Sequence, residues 1–426
     1  MTEIFPNQRT VAKQVIHEFE KNSKLAVCLA LGMTQCGKTG GMIATCEEFV
    51  NHPSMKIETG NIFLITGYSS LEWELQTKAR FPPELAQNVF HRNKLATQFV
   101  PKVQNAHDLL IIIDEVQIAS GQSNTVAAVF SMLGFLDVKN LVEKNIKIVL
   151  FSATPNGILY DSIDGEQKGN ESTGKYMTSV IMQPGPNYHG VHHFYENNRI
   201  KEYQPLSGQQ YDKQTLVDLK DTILSKYESP RFHVVRTPTG ITQFEVIINF
   251  FGTNEGGENI EGVFDKDTFQ YYTYDMVGLA GNVTRPDGSV VSEIDDLLSR
   301  PPEKHTFIFV KEKARCAKTF PKKYVGIWYE RYTNKAMDDV IIQGLLGRAG
   351  GYDDPGDSLI YTNIRSVRDY IDLWDSQFAP TCEWICNSTK LVETPTENNN
   401  DDDEVRSTVS KGTWLKLIST TIPKEV

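Results

Sequence analysis

The chain has no apolar run long enough to span a membrane and no apolar segment at its N-terminus of the secretory kind. A cytoplasmic setting without a membrane partner is the expectation. Cysteine is scarce, with six in 426 residues, and Cys36 lies in a glycine-containing loop while Cys28 lies in an apolar, strand-like run. That is cysteine used as a small side chain in a reducing compartment, not a disulfide framework. Cys382 and Cys386 are four apart, but no second pair or nearby histidine completes a zinc set. His189, His192 and His193 lack a carboxylate at ligand spacing and read as loop or surface residues. Basic residues do not dominate either. The formal charge is −11, which excludes a body coated in nucleic acid but not a narrow basic groove. Any affinity for nucleic acid is therefore expected to be modest and sensitive to salt. The stretch "ETPTENNNDDDE", 393–404, has no lysine or arginine and holds six of the acidic residues, leaving −5 elsewhere. It cannot bury enough apolar surface to fold and is expected to be disordered and dispensable. No short internal repeat is present.

What is present is an α/β rhythm, in a composition of 40% hydrophobic and 23% charged residues that suits two or three domains. "VAKQVIHEFEK", 11–21, has apolar residues at helical spacing. Strands are predicted at 25–31, 61–67, 108–115, 146–154 and 176–184, with helices between most of them, as in a parallel sheet. Residues 185–213 are irregular and read as a connector. The rhythm then restarts with helices at 214–227 and 241–251 and strands at 231–237, 305–310, 324–330 and 358–363. The pattern is weak over 252–300. "TWLKLIS", 413–419, could dock back or bind a protein partner.

Between the strand 25–31 and a helix at 39–50 stands "GMTQCGKT". Gly32 and Gly37 allow a tight turn whose N–H groups point inward at phosphate oxygens. Thr34, Gln35 and Cys36 complete that loop, Lys38 would reach the β- and γ-phosphates of ATP, and Thr39 would ligate Mg²⁺. A strand–loop–helix context is what such a cradle needs. The strongest apolar strand ends in Asp114 and Glu115, at the carboxyl edge where the cradle also lies. Asp114 would hold Mg²⁺ through water, and Glu115 would orient and deprotonate the attacking water. "FSATP", 151–155, follows the next strand and offers the hydroxyls of Ser152 and Thr154. Downstream, "QGLLGRAGGY", 343–352, places Gln343 and Arg348 in a second α/β unit, where the arginine suits a transition-state cation supplied across a cleft.

The ordered set "GMTQCGKT", "DEVQ", "FSAT" and "QGLLGRAGG" resembles superfamily 2 helicases and translocases over residues 5–365. The resemblance implies an α/β fold of two tandem RecA-like parallel-sheet domains with an ATP cleft between them, with nucleic acid running over both. It implies Gln117 as the residue that senses the second domain, Ser152 and Thr154 as coupling hydroxyls, and Gln8 in "FPNQ" as the reader of the adenine edge. It assigns Arg315, Lys318 and Thr319 in "FIFVKEKARCAKTF", 307–320, to nucleotide and strand contact, and Tyr68 and Ser69 in "GYSSLEW", 67–73, to the sugar-phosphate backbone. The wording "ARCAKT" and "QGLLGRAGGY" is similar to phage and large-DNA-virus helicases, which would put the protein in a host cytoplasm. Two departures stand out. Gly351 occupies the position of a second arginine, and the Gln343–Arg348 spacing is one residue longer than usual. The expected domains are 1–190, a connector at 191–213, 214–380, and an extension at 381–426. The expected activity is ATP-dependent helicase or translocase action on nucleic acid, DNA ahead of RNA. The alternatives are a duplex DNA translocase that separates no strands and an ATP-switched binding subunit of a viral assembly.

Overall fold

The apolar runs become two separate sheets. The computed structural model describes residues 3–69, 71–118, 120–154, 157–161, 176–238, 241–253, 260–275, 282–311, 320–379, 382–394 and 405–420. The chain divides into two compact units, Met1–Asn187 with Leu373–Val426, and Tyr188–Asp372.

The first unit is built on β1 (Val27–Gly32), β2 (Ile62–Thr66), β3 (Val89–His91), β4 (Leu109–Asp114), β5 (Ile146–Ser152) and β6 (Met177–Met182). Their order is β3-β2-β4-β5-β1-β6, and every neighbouring pair is parallel. β1, β2 and β4 are buried at every position, which requires cover on both faces and explains why they read as unbroken apolar runs rather than alternating ones. The first helix, α1 (Pro6–Lys21), starts earlier than its apolar stripe because Pro6 suits an opening turn and Gln8 folds back on the Phe5 backbone N–H at 2.9 Å. Its buried stripe of Val11, Val15, Ile16 and Phe19 faces α2 (Lys38–Asn51), with the Phe19 and Phe49 rings 5.8 Å apart.

The second unit carries β7 (Ile200–Glu202), β8 (Phe232–Thr237), β9 (Phe269–Asp275), β10 (Asn282–Thr284), β11 (Val290–Glu293), β12 (His305–Lys311), β13 (Val325–Tyr329) and β14 (Leu359–Thr362). The order is β11-β10-β9-β12-β8-β13-β14-β7, parallel from β9 to β7, with β10 and β11 added antiparallel. The stretch expected to be a connector therefore supplies a helix, Val191–Glu196, and the edge strand β7. The weakly patterned 252–300 supplies β9, β10, β11 and a short helix, Ile294–Leu298. A cluster of rings fills the core on one side, with Phe264 4.7 Å from Phe307 and Phe250 5.0 Å from both Phe264 and Phe307.

The C-terminal region is built into the fold on both sides of the acidic stretch. β15 (Thr389–Thr394) pairs antiparallel with β16 (Val405–Ser410), and a helix, Trp414–Thr420, follows. Glu393 and Thr394, placed by sequence in the disordered acidic stretch, are the end of β15, and 395–404 lie outside the described residues. Trp414 is fully buried with its ring 5.1 Å from Phe130, and its backbone N–H donates to Ser120 at 2.9 Å. Thr413 N–H donates to the buried Asp161 carboxylate at 2.6 Å. "TWLKLIS" thus docks back on the first unit, so ending the chain at Leu391 would remove part of that unit's core. The expected dispensability therefore does not extend to the segment that follows the acidic stretch. Trp414→Ala should cost about 3–5 kcal/mol of stability, read as a lowered thermal midpoint; an unchanged midpoint would show that this helix is only resting on the surface.

In the second unit His233 and His305 stack at 5.3 Å, with His233 Nε2 3.1 Å from His305 Nδ1. Burial, the His305 charge and Arg231 hold His233 well below the ordinary imidazole value of 6.5, and burial and Arg231 lower His305. The unfolded chain takes up protons below about 6.5 while the folded pair resists them, so stability is full above that pH and falls as pH drops beneath it. His233→Phe should flatten this acid limb of the thermal midpoint against pH; an equally steep limb would place the responsible groups elsewhere.

Candidate nucleotide site

β5 lies between β4 and β1, so Gly32, Asp114 and Ser152 end three adjacent parallel strands at one carboxyl edge. The loop after β1 turns through two left-handed residues, Gln35 at φ 56° and Gly37 at φ 94°. Gly37 is the N-cap of α2 and no side chain caps that helix start. Successive backbone N–H groups in such a turn, at the positive end of a helix, form an anion-binding concavity. Lys38 is buried, and its Nζ lies over the loop, donating to the Gly32 and Met33 carbonyls at 3.3 and 3.1 Å. Gln8 reaches this loop from α1, its Nε2 donating to the Gly37 carbonyl at 3.1 Å. A Cβ on Gly40 would overlap the Gln8 amide and displace it from the loop, so the Gln8 contact depends on a glycine that the loop pattern does not contain.

Asp114 is buried and held on both oxygens. Trp73 Nε1 donates to Oδ2 at 3.0 Å and the Glu115 backbone N–H to Oδ1 at 3.0 Å. Burial, then the Glu115 charge, pushes its pKa up to about 7, while Lys38 and the Trp73 bond pull it down. A carboxylate destabilised in this way is one that a cation would stabilise. Among the described residues no group of three or more His, Cys, Asp or Glu gathers to hold a metal by itself. The expected Mg²⁺ set is of another kind, Thr39 and Asp114 with phosphate and water supplying the rest, and the buried, cation-seeking carboxylate beside an anion cradle fits it.

Glu115 sits at φ 49°, a left-handed conformation that costs a non-glycine residue about 1–3 kcal/mol and turns the chain sharply out of β4. From there a chain of side-chain bonds runs along the edge. Gln117 Nε2 donates to Glu115 Oε2, Ser152 Oγ donates to Gln117 Oε1 at 2.8 Å, and Thr154 N–H donates to Ser152 Oγ at 3.1 Å. Gln117, expected to sense the second domain, makes these bonds within its own unit.

In the second unit Arg348 is buried on the helix Leu345–Ala349, its Nη2 donating to the Gln343 carbonyl at 3.4 Å. The helix start is held by Glu330, a residue the sequence reading missed. Glu330 Oε2 accepts from Leu345 N–H at 2.8 Å, and Oε1 accepts from Arg236 Nη1 at 2.9 Å and Arg331 N–H at 2.9 Å. Gly344 as N-cap leaves room for that carboxylate. Gly351, found where a second arginine was expected, has φ 125° and exchanges two backbone bonds with His189, at 2.8 and 3.0 Å. An arginine there would be strained, which accounts for the departure. Tyr68 and Ser69 lie just beyond β2, with Arg92 donating from its backbone to Tyr68 and from Nη2 to Ser69 Oγ, both at 3.2 Å. Arg315, Lys318 and Thr319 lie outside the described residues. Because Arg236 and Glu330 are both buried, Glu330→Ala strands a cation and uncaps the helix. It should cost about 3–5 kcal/mol, seen as a lower denaturant midpoint, and a neutral result would detach Glu330 from the placement of Arg348.

No known family model matches the chain. An uncharacterized protein of Acanthamoeba polyphaga mimivirus, L594, is 23% identical over 373 residues, spanning 84% of this chain and 87% of that protein. Among solved structures, the DEAD-box helicase Mss116 bound to ssRNA and UDP-BeF aligns with 87% of this chain at 12% identity and a TM-score of 0.36. The alignment takes in 66% of that chain, just under two thirds of its length. The Pif1 helicase of Candida albicans aligns with 88% of this chain and 99% of its own at 11% identity and a TM-score of 0.33. Likenesses this loose leave the residue roles to the geometry described above.

Proposed function

We propose that this chain is an ATP-driven helicase or translocase of nucleic acid, DNA ahead of RNA, built from two RecA-like units. The observation that carries the reading is the common carboxyl edge of β1, β5 and β4, which brings together the Lys38 loop, Ser152 and the Asp114–Glu115 pair. The loop N–H groups and Lys38 bind the phosphates of ATP. Mg²⁺, held through Thr39 and Asp114, neutralises phosphate charge when bound. Glu115, at a left-handed backbone position just past the strand end, takes the proton of the attacking water. Gln117 holds Glu115, Ser152 holds Gln117, and the chain of bonds reports the state of Glu115 along the edge to Thr154. Arg348, on a helix start fixed by Glu330, supplies the cation that stabilises the transferring phosphoryl group when the units close. Closure and reopening move a strand gripped at Tyr68 and Ser69.

The test is the ATPase rate with and without single-stranded DNA, duplex DNA and RNA, followed by strand displacement. Stimulation by one of these polymers is expected. Glu115→Gln should bind ATP yet turn over about 10²–10⁴ times more slowly, and Arg348→Ala should lose about 10³–10⁵ of the stimulated rate. A wild-type chain that hydrolyses no ATP with any polymer, or an Arg348→Ala chain at the full stimulated rate, would overturn the reading.

A further inference from the structure

The helix Leu71–Arg80 joins two places that the proposed function leaves unconnected. Its Trp73 is buried at 2% exposure and donates Nε1–H to Asp114 Oδ2 at 3.0 Å. The next residue, Glu74, is equally buried but faces cations. Its Oε1 takes Lys78 Nζ at 2.6 Å and Lys94 Nζ at 2.7 Å, and its Oε2 lies 3.5 Å from His91 Nε2. The turn before the helix holds Ser69, whose hydroxyl accepts from Arg92 Nη2 at 3.2 Å. Lys78 and Lys94 keep 33% and 29% of their side chains in solvent, so the patch is open to an anion while its counter-ion is not.

A strand phosphate arriving at this patch competes with Glu74 for the two ammonium groups and with Ser69 for the Arg92 guanidinium. Both exchanges loosen what ties the start of the helix to the Arg92–Lys94 turn. The indole is large, buried and has only two rotatable bonds, so a shift of the helix start reaches Asp114 with little lost in side-chain freedom. We propose that Trp73 is a positioning residue that couples a nucleic-acid phosphate at Ser69, Arg92 and Lys94 to the placement of Asp114. This rests on the reading of Asp114 as a Mg²⁺–ATP group. Coupling between two ligands is reciprocal, so Mg²⁺–nucleotide must change strand affinity by the same factor that the strand changes Mg²⁺–nucleotide affinity.

Trp73→Phe keeps an aromatic ring, though a smaller one, and removes the N–H donor. The measurement is the anisotropy of a labelled single-stranded DNA oligonucleotide, titrated with full-length protein holding a non-hydrolysable ATP analogue, with and without Mg²⁺. The wild-type chain should show an affinity ratio of about tenfold, within the usual range for such couplings, and Trp73→Phe should bring it close to one while each ligand still binds. The indole emission change on adding Mg²⁺ to the analogue complex should also disappear in Trp73→Phe. A retained ratio in Trp73→Phe, or a wild-type ratio of one, overturns the coupling while ATPase stimulation still stands for the functional reading. A wild-type chain that neither binds the oligonucleotide nor hydrolyses ATP removes both. If Trp73→Phe does not fold by circular dichroism, the Ser69→Ala/Arg92→Ala pair severs the other end of the link. That pair should weaken strand binding and bring the ratio to one, and a wild-type ratio in it would overturn the coupling.

Discussion

A charged carboxylate buried at the end of a fully buried strand is the constraint around which the first unit is arranged. β4 has to be apolar on both faces to sit in mid-sheet, yet it ends in Asp114 and Glu115. Burial alone pushes Asp114 toward neutrality, and the second carboxylate beside it adds to the push. The unit answers with two donors, the Trp73 indole and the Glu115 backbone N–H, and with the positive field of Lys38. The Trp73 bond ties the strand end to the helix after β2 through one side chain. Just past the strand, at the left-handed turn, the second carboxylate accepts from Gln117, which in turn accepts from Ser152.

The second unit solves a similar problem with opposite charge. Its helix Leu345–Ala349 carries a buried arginine but begins at a glycine with no side chain to cap it. Glu330 at the end of β13 fills that role from across the fold, and Arg236 from β8 neutralises it. A buried pair of this kind contributes little net stability, but loss of either partner leaves the other uncompensated. Its value here is geometric, because it ties the Arg348 helix to the carboxyl ends of two parallel strands. Gly351 belongs to the same arrangement, since its backbone ladder with His189 fixes the chain just beyond that helix in a conformation closed to arginine.

The central strands were legible because a strand buried on both faces is dominated by apolar residues, and β1, β2, β4, β5, β8, β12, β13 and β14 all appear within a residue or two of their apolar runs. β9 was not, since "FQYYTYD" mixes aromatic and polar side chains in a way that neither a period of two nor an apolar run describes. β7 was hidden by its length of three residues and by the prolines and glycines around it. The C-terminal hairpin was masked by composition: the acidic stretch that separates its strands reads as solvated, although the strands on either side pair along their whole length.

Sequence by itself determined the residue set of the candidate site: a glycine-framed loop with Lys38 and Thr39, an acidic pair at a strand end, and an arginine in a later α/β stretch, because spacing along one turn or one strand is a local property. Tertiary structure alone decided that Trp73 bonds Asp114, that Gln8 lies against a loop 29 residues away, that Glu330 caps the Arg348 helix, and that Trp414 completes the first unit's core. Gln8 and the "TWLKLIS" segment were singled out in the sequence, but Trp73 and Glu330 have no sequence signature, since each is defined by what happens to be adjacent when strands are ordered out of chain sequence. A buried polar atom must find a donor or acceptor somewhere, but only the packing decides which residue supplies it.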